Sequence, residues 1–589
     1  MLLTRSFKFF NIAQFLGALN DNIFKLLIVF LLIDVEGPER TSVILATAGA
    51  VFVIPFLLFS QLSGVLADRK SKRNVIVAMK LLEFFVMTLG VLFFWLRSAP
   101  GSYFVLFMMA TQSAIFSPSK FGIVPEIVPK EKISKANGIL TMFTYLAIIL
   151  GTFLAAFLTD VSGRNFVFTS SICTLIALAG FIASLQIEKT PPSGCNTKYN
   201  FFFLAEVYTN IRRAYKRSNL LTAMFGAAFF LFLGAFMQFN IIPFGMDSLQ
   251  LTDVKGGYLF LLIALGIGIG SVLAGKISGR VVELGLVPIG GFGIIICALL
   301  LFLFSTHLFA VVGISFVVGL FAGCFVVPLE SFIQVTSADK FRGQIIAAKN
   351  FMSFLGVLCA SAMLYLVAEV WHLTPRQGFL IMSFIASLMT IIIMMMTFDH
   401  FIRFIALITT RLFFRLSSTG CEEIERRPKI IVCNHASWTK TFLLLATQRR
   451  GMRLIVKCRH RHFKWLAPIY RFFKIIPLHD HKNPVYITRL MCDVHNSLKR
   501  GFSVCVFMNS RRQEEVASKN YILHYDLVAK VFNETSCPIV PVRIYRQNKT
   551  KNNFYIWNVL RHGRTKVHVV FDKPIAREKP IEEIRNYFL

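Results

Sequence analysis

The stretch Ser63-Gly64-Val65-Leu66-Ala67-Asp68-Arg69-Lys70-Ser71-Lys72-Arg73 returns, at one constant offset, as Gly270-Ser271-Val272-Leu273-Ala274-Gly275-Lys276-Ile277-Ser278-Gly279-Arg280. Val-Leu-Ala coincides, as do a cation at 69 and 276, a serine at 71 and 278, and an arginine at 73 and 280. A second echo at a similar spacing pairs Val124-Pro125 and Glu126 with Val327-Pro328 and Glu330. Two such echoes describe a body built from two repeated halves.

Around this stretch the chain is a succession of apolar runs, among them residues 22–33, 43–66, 75–96 and 379–396, several long enough to cross about 30 Å of hydrocarbon. Hydrophobic residues make up 55% of the sequence, aromatics 14%, and Phe alone occurs 62 times, which excludes an ordinary soluble composition. Polar breaks near 34–41, 68–74, 97–102, 120–135 and 159–165 divide the first half into about six spans, and the second half divides similarly. The fold class is therefore an α-helical polytopic membrane body over 1–398. Its halves are 1–187 and 218–398, joined by a polar linker at 188–217. Lys and Arg crowd the second and fourth breaks, the linker, and the regions 276–280 and 340–349, while alternate breaks carry about one each, so both termini are expected on the cytoplasmic side. The basic N-terminal eight residues read as the start of the first span, since no small-residue cleavage site follows. Met394 to Met396 reads as lipid-facing filler.

Near Asp399 the chemistry changes. Of the formal net charge of +32, about +22 falls after this residue. A basic domain tethered to a bilayer suits anionic headgroups or phosphate-bearing substrates, and the tether argues against nucleic acid. A basic helix at 401–416, with Arg403, Arg411 and Arg415, is expected to lie on the membrane surface within a connector at 399–419. The domain at 420–589 alternates helical segments with short apolar strands at 429–433, 453–456, 474–477, 502–507 and 539–544, an α/β pattern. The 11 Cys are scattered, with no C-x-x-C pair, and read as reduced thiols. His479-Asp480-His481 reads as a solvated loop, and no metal site or bound cofactor is expected.

The loop Gly64-x-Leu66-Ala67-Asp68-Arg69-x-x-x-Arg73 resembles the signature of the major facilitator superfamily. In physical terms Gly64 permits close helix approach, and Asp68 can hold a basic residue or a helix terminus that separates when the halves rock. Four further segments resemble the bacterial lysophospholipid transporter family over about residues 6–397. They are Phe15 to Lys25, with Asn20-Asp21-Asn22 and Lys25; Gln112 to Glu126; Gly266 to Leu286; and Val326-Val327-Pro328-Leu329-Glu330-Ser331, continuing to Arg342-Gly343 and Ala347 to Asn350. That resemblance implies inward movement of lysophospholipids such as lysophosphatidylethanolamine across the bacterial inner membrane. Asn20, Asp21, Asn22 and Lys25 are then candidates to line the headgroup cavity, with an intrahelical Asp21–Lys25 ion pair as the competing role. Gly64, Asp68, Arg69, Arg73, Glu126 and Glu330 are candidates for gating.

Pro428 to Lys440, reading P-K-I-I-V-C-N-H-A-S-W-T-K, is similar to the first block of PlsC-type glycerolipid acyltransferases, and later segments match successive blocks. That family's H-x-x-x-x-D element uses His as base and Asp to orient it. Here Asn434 and His435 match, but Lys440 stands at the Asp position, where a cation disfavours the imidazolium. The family's Pro-Glu-Gly positions are Met508-Asn509-Ser510, while Arg511 and Arg512 remain able to hold phosphate. Two altered elements point to a domain that binds without turnover, unless Asp480 or Glu514 reaches His435. An active domain would take acyl-acyl carrier protein or acyl-coenzyme A as donor, with acyl carrier protein or a separate acyl-activating ligase as partner. The readings that compete are a lysophospholipid transporter with an impaired acyltransferase-like domain, a bifunctional transporter and acyltransferase, and a broad-substrate exporter with a regulatory tail.

Overall fold

The computed structural model describes residues 4–197, 203–217, 219–279, 281–420, 428–434, 438–448, 451–457, 475–478, 484–499, 501–508, 537–546 and 565–575. It divides into two compact units, Met1–Met396 and Thr397–Leu589.

The first unit is a helical bundle. Its first half comprises α1 (Arg5–Glu36), α2 (Thr41–Arg69), α3 (Lys72–Trp95), α4 (Ala99–Gly122), the single turn α5 (Val124–Ile127), α6 (Ile133–Val161) and α7 (Phe166–Leu185). The linker carries α8 (Phe203–Tyr215). The second half comprises α9 (Leu220–Leu249), α10 (Asp253–Ser278), α11 (Leu286–Leu303), α12 (Leu308–Thr336), α13 (Arg342–Tyr365) and α14 (Pro375–Met396). Among the described residues, 11 of these helices are long and apolar enough to cross a membrane. The twelfth long helix, α4, falls outside that set; it carries Thr111, Gln112, Ser113, Ser117 and Lys120, and packs against α2 and α3 inside the bundle. The expected six spans per half thus correspond to eleven strongly apolar helices and one polar-faced one.

Small residues set the closest crossings. Gly266 and Gly270 of α10 lie against the backbone of α12, and Gly319 and Gly323 of α12 lie against the backbone of α10, so a side chain at any of these would collide with main chain. Pro55, Pro118, Pro243 and Pro328 sit inside α2, α4, α9 and α12, where each removes a helical hydrogen bond. The halves meet through α2 against α13 and α6 against α10.

The second unit opens with α15 (Phe398–Phe413), which runs into β1 (Phe414–Thr419). The helix therefore ends at Phe413, short of the expected 416, because Phe414 and Leu416 enter a sheet. Arg403 is buried and donates to the Gln448 carbonyl at 3.0 Å, so one of the helix's three arginines faces protein. Five further strands, β2 (Ile430–Asn434), β3 (Met452–Lys457), β4 (Ile476–Leu478), β5 (Ser503–Met508) and β6 (Ile539–Arg546), fall on the expected segments, and β7 (Thr565–Phe571) was not foreseen. The sheet order is β1-β7-β6-β2-β5-β3-β4, parallel except for β6 against β7. Both faces of the central strands are buried. Ile430, Val432, Val504 and Val506 pack under α17 (Pro484–Lys499), and Ile431, Cys433 and Cys505 pack under α16 (Trp438–Thr447) and α15. A parallel sheet covered on both sides produces such unbroken β-branched runs.

Candidate functional site

The candidate gate is the motif that opens the chain's repeat. Asp68 is the penultimate residue of α2 and is fully buried. Its Oδ1 accepts from the Gly343 amide at 2.7 Å, and its Oδ2 accepts from the Gln344 amide at 3.0 Å and from Gln344 Nε2 at 3.2 Å. Gly343 and Gln344 are in the first turn of α13, whose amides have no partner within the helix, so a carboxylate from one half caps a helix of the other. Gly64, one turn earlier on α2, makes that approach possible. A Cβ there would stand 2.6 Å from Ala347 Cβ and 2.9 Å from the Gly343 carbonyl oxygen. We expect Gly64→Val to stop α13 from seating and to abolish most transport while leaving expression intact; uptake at the wild-type rate would refute the packing role.

The other gating candidates divide. Arg73 donates to the carbonyls of Leu185 (3.0 Å) and Ile187 (3.2 Å), closing the end of α7 within its own half. Arg69 is exposed at the end of α2. Glu126 pairs with the buried Lys72 at 2.6 Å, again within the first half, and Glu330 of α12 pairs with Lys349 of α13 at 2.8 Å within the second. These two glutamates, equivalent in the repeat, hold each half together, whereas Asp68 holds the halves to one another. Asn137 of α6 adds a second bridge, donating to Ser331 and Gln334 of α12, each at 3.0 Å. Asn350 donates to Ser117 of α4 at 2.9 Å.

The cavity candidates on α1 also separate. Asn20 is buried, donating to Glu83 Oε1 at 3.4 Å, and Asn22 donates to the Ala18 carbonyl of its own helix. Asp21 and Lys25 are half-buried deep within a membrane-length helix. They do not pair with each other. Asp21 Oδ2 accepts from Ser113 Oγ at 2.8 Å, and Lys25 lies over the Phe52 ring at 4.9 Å, a cation–π contact.

Several charged residues that the sequence reading passed over complete this polar interior. Lys80 and Glu83 pair at 2.6 Å, each about 2% exposed, inside the run 75–96 taken above as apolar. Gly17 of α1 leaves the room that the Lys80 ammonium fills. Lys120 of α4 is within electrostatic reach of Asp21, Lys80, Lys349 and Glu330, and no ion pair of its own is found among the described residues. The signal that could have found them is the cost of a charge at membrane depth, which makes each a functional candidate by default.

In the second unit, Asn434 and Met508 end β2 and β5 and are paired across the sheet. Both altered elements of the acyltransferase pattern therefore start from the same, carboxyl, edge of parallel strands, the edge where open α/β sheets place their sites. Lys440 follows on α16, half-buried, and burial lowers its pKa from lysine's usual range, with the nearby Cys433 opposing. Burial pushes the Cys433 thiol up to about 12, which leaves it an inert core group. His435, Asp480, Asn509, Ser510, Arg511, Arg512 and Glu514 lie outside the described residues.

The first unit is thus a helical bundle of two repeated halves, joined by a carboxylate on a helix terminus and carrying charged residues buried in its interior. The family profile of the Major Facilitator Superfamily matches residues 10–361, and the chain belongs to that superfamily. The profile named Acyltransferase matches residues 415–545, so a second, acyltransferase domain follows the transporter. Among individual proteins, the chain is 24% identical over 361 residues to the lysophospholipid transporter LplT of Klebsiella pneumoniae, an alignment covering 61% of this chain and 87% of that one. It is 25% identical over 355 residues to LplT of Serratia proteamaculans, covering 59% and 85%. The human organic anion transporter MFSD10 shares the fold with a TM-score of 0.57 at 14% identity, over 66% of this chain and all of that one. A bacterial homologue of the iron transporter ferroportin, in its outward-facing state, aligns with a TM-score of 0.54 at 14% identity, over 67% and 99%.

Proposed function

We propose that the chain moves lysophospholipids, such as lysophosphatidylethanolamine, inward across the bacterial inner membrane, with both termini and the acyltransferase domain in the cytoplasm. The observation that carries this reading is the placement of Asp21, Lys25 and Lys120 within the bundle. A zwitterionic headgroup needs an anion for its ammonium and a cation for its phosphate, in one hydrated cavity, while its single tail stays in lipid. Asp21 serves the first need, and Lys25 and Lys120 the second. The names of the LplT relatives support the same substrate class. Asp68 and α13 form the gate on the cytoplasmic side, the side assigned by the Lys and Arg content of the loops.

The acyltransferase domain, in this reading, binds lipid or an acyl carrier and turns over little, since Lys440 occupies the position of the orienting carboxylate. The convergence of Asn434 and Met508 at one sheet edge favours, as second reading, an active transferase using acyl-acyl carrier protein or acyl-coenzyme A. One preparation tests both. Purified protein in liposomes should translocate labelled lysophosphatidylethanolamine and form little diacyl product from either donor. Absence of translocation would overturn the transport reading, and abundant product that disappears in His435→Ala would establish the second reading.

A further inference from the structure

The linker between the halves is wired into the gate. Gln344, which donates to Asp68, also donates to Cys195 Sγ at 3.3 Å and accepts from Arg213 of α8 at 3.0 Å. Arg213 donates as well to Asn210 at 2.8 Å and covers the Phe341 ring at 4.4 Å, while Asn210 donates to Gln61 of α2 at 3.1 Å. Gln61 and Asp68 share a face of α2, two turns apart. The hydrogen bonds therefore close a ring from α2 through α8 to α13 and back to α2, and Gln61, Asn210 and Gln344 in it are each at most 1% exposed.

The opposite face of α8 is built differently. At helical spacing, Leu204, Tyr208 and Tyr215 form an exposed apolar edge, and Arg212, with Lys216 and Arg217 just beyond the helix, lies exposed beside it. The helix's one acid, Glu206, is half-buried on the inner side. Tyrosines beside cations, at the loop end of a membrane bundle, have the chemistry of a helix lying in the headgroup layer.

We propose that α8 is an interfacial strap whose outer face binds anionic phospholipid headgroups and whose inner face, through Arg213, holds the Asp68 gate closed. A lipid that seats the outer face stabilises the ring and with it the capped end of α13. The inference rests on the gate role of Asp68 and is independent of which lipid is transported.

Amide hydrogen exchange of the full chain in nanodiscs tests it, comparing phosphatidylcholine alone with phosphatidylcholine containing phosphatidylglycerol. Phosphatidylglycerol should slow exchange across 203–217 by about ten-fold, and should also slow residues 343–345. The combined variant Arg212→Gln, Lys216→Gln and Arg217→Gln should lose the lipid response yet match the wild type in phosphatidylcholine. Arg213→Ala should keep the response in α8 and lose it at 343–345. No effect of phosphatidylglycerol on α8, or equal protection by neutral lipid, overturns the headgroup assignment. Slowing of α8 without slowing of 343–345 in the wild type overturns the strap. Asp68→Asn keeps the gate reading separately testable, since it should speed exchange at 343–345 in either lipid.

Discussion

Asp68→Asn should slow lysophospholipid translocation about ten-fold or more in liposomes, with the protein still folded. An asparagine keeps one acceptor oxygen but turns an amide NH2 toward donors that the second carboxylate oxygen now satisfies. Hydrogen bonds to a charged group are worth about 1.5–3 kcal/mol, and about 1.4 kcal/mol is a factor of ten in population, so the state with α13 seated loses most of its occupancy. Turnover through alternating access requires that state in every cycle. Translocation at the wild-type rate would remove the gating role, and unchanged exchange at 343–345 would remove the cap itself.

Glu83→Gln should have the larger effect on stability, lowering it by about 3–5 kcal/mol, because it leaves the Lys80 ammonium buried without its counter-charge. Gly17 and the Phe116 ring, 5.4 Å from the ammonium, enclose that group. The double variant Lys80→Met with Glu83→Leu should recover much of the loss, since apolar residues of similar volume avoid the desolvation cost. Thermal unfolding in detergent measures both. A single variant as stable as the wild type would mean that Lys80 has another outlet for its charge.

Much of this architecture was legible because membrane-length runs and internal repeats are long-range patterns with few alternatives. The echo of 63–73 at 270–280 placed the halves, and Gly64 and Asp68 were found because a signature ties small size and charge to a loop. The partner of Asp68 was not legible: it is the backbone of Gly343 and Gln344, and a helix terminus presents amides whatever its side chains are. Lys80 and Glu83 were overlooked for a different reason, since averaging over 75–96 submerges two charges that cancel. Glu126 and Glu330 were read as gating residues from their position at span ends, and their ion-pair partners, Lys72 and Lys349, each within the same half, were not legible. In the second unit the central strands were plain from β-branched runs, whereas β1 followed an amphipathic helix without a break and was read as its continuation.

Among the described residues, that first strand pairs only with the last strand. β1 at Phe414–Thr419 pairs in parallel with β7 at Thr565–Phe571, and β7 also joins β1 to β6. During synthesis the membrane helices are thus in place while the first strand still waits for residues made about 150 positions later. Until β7 emerges, β1 and β6 each present an unpaired edge, the segment most open to mispairing and proteolysis. Chains interrupted before residue 565 should therefore keep a sound bundle and carry a tail that quality control removes.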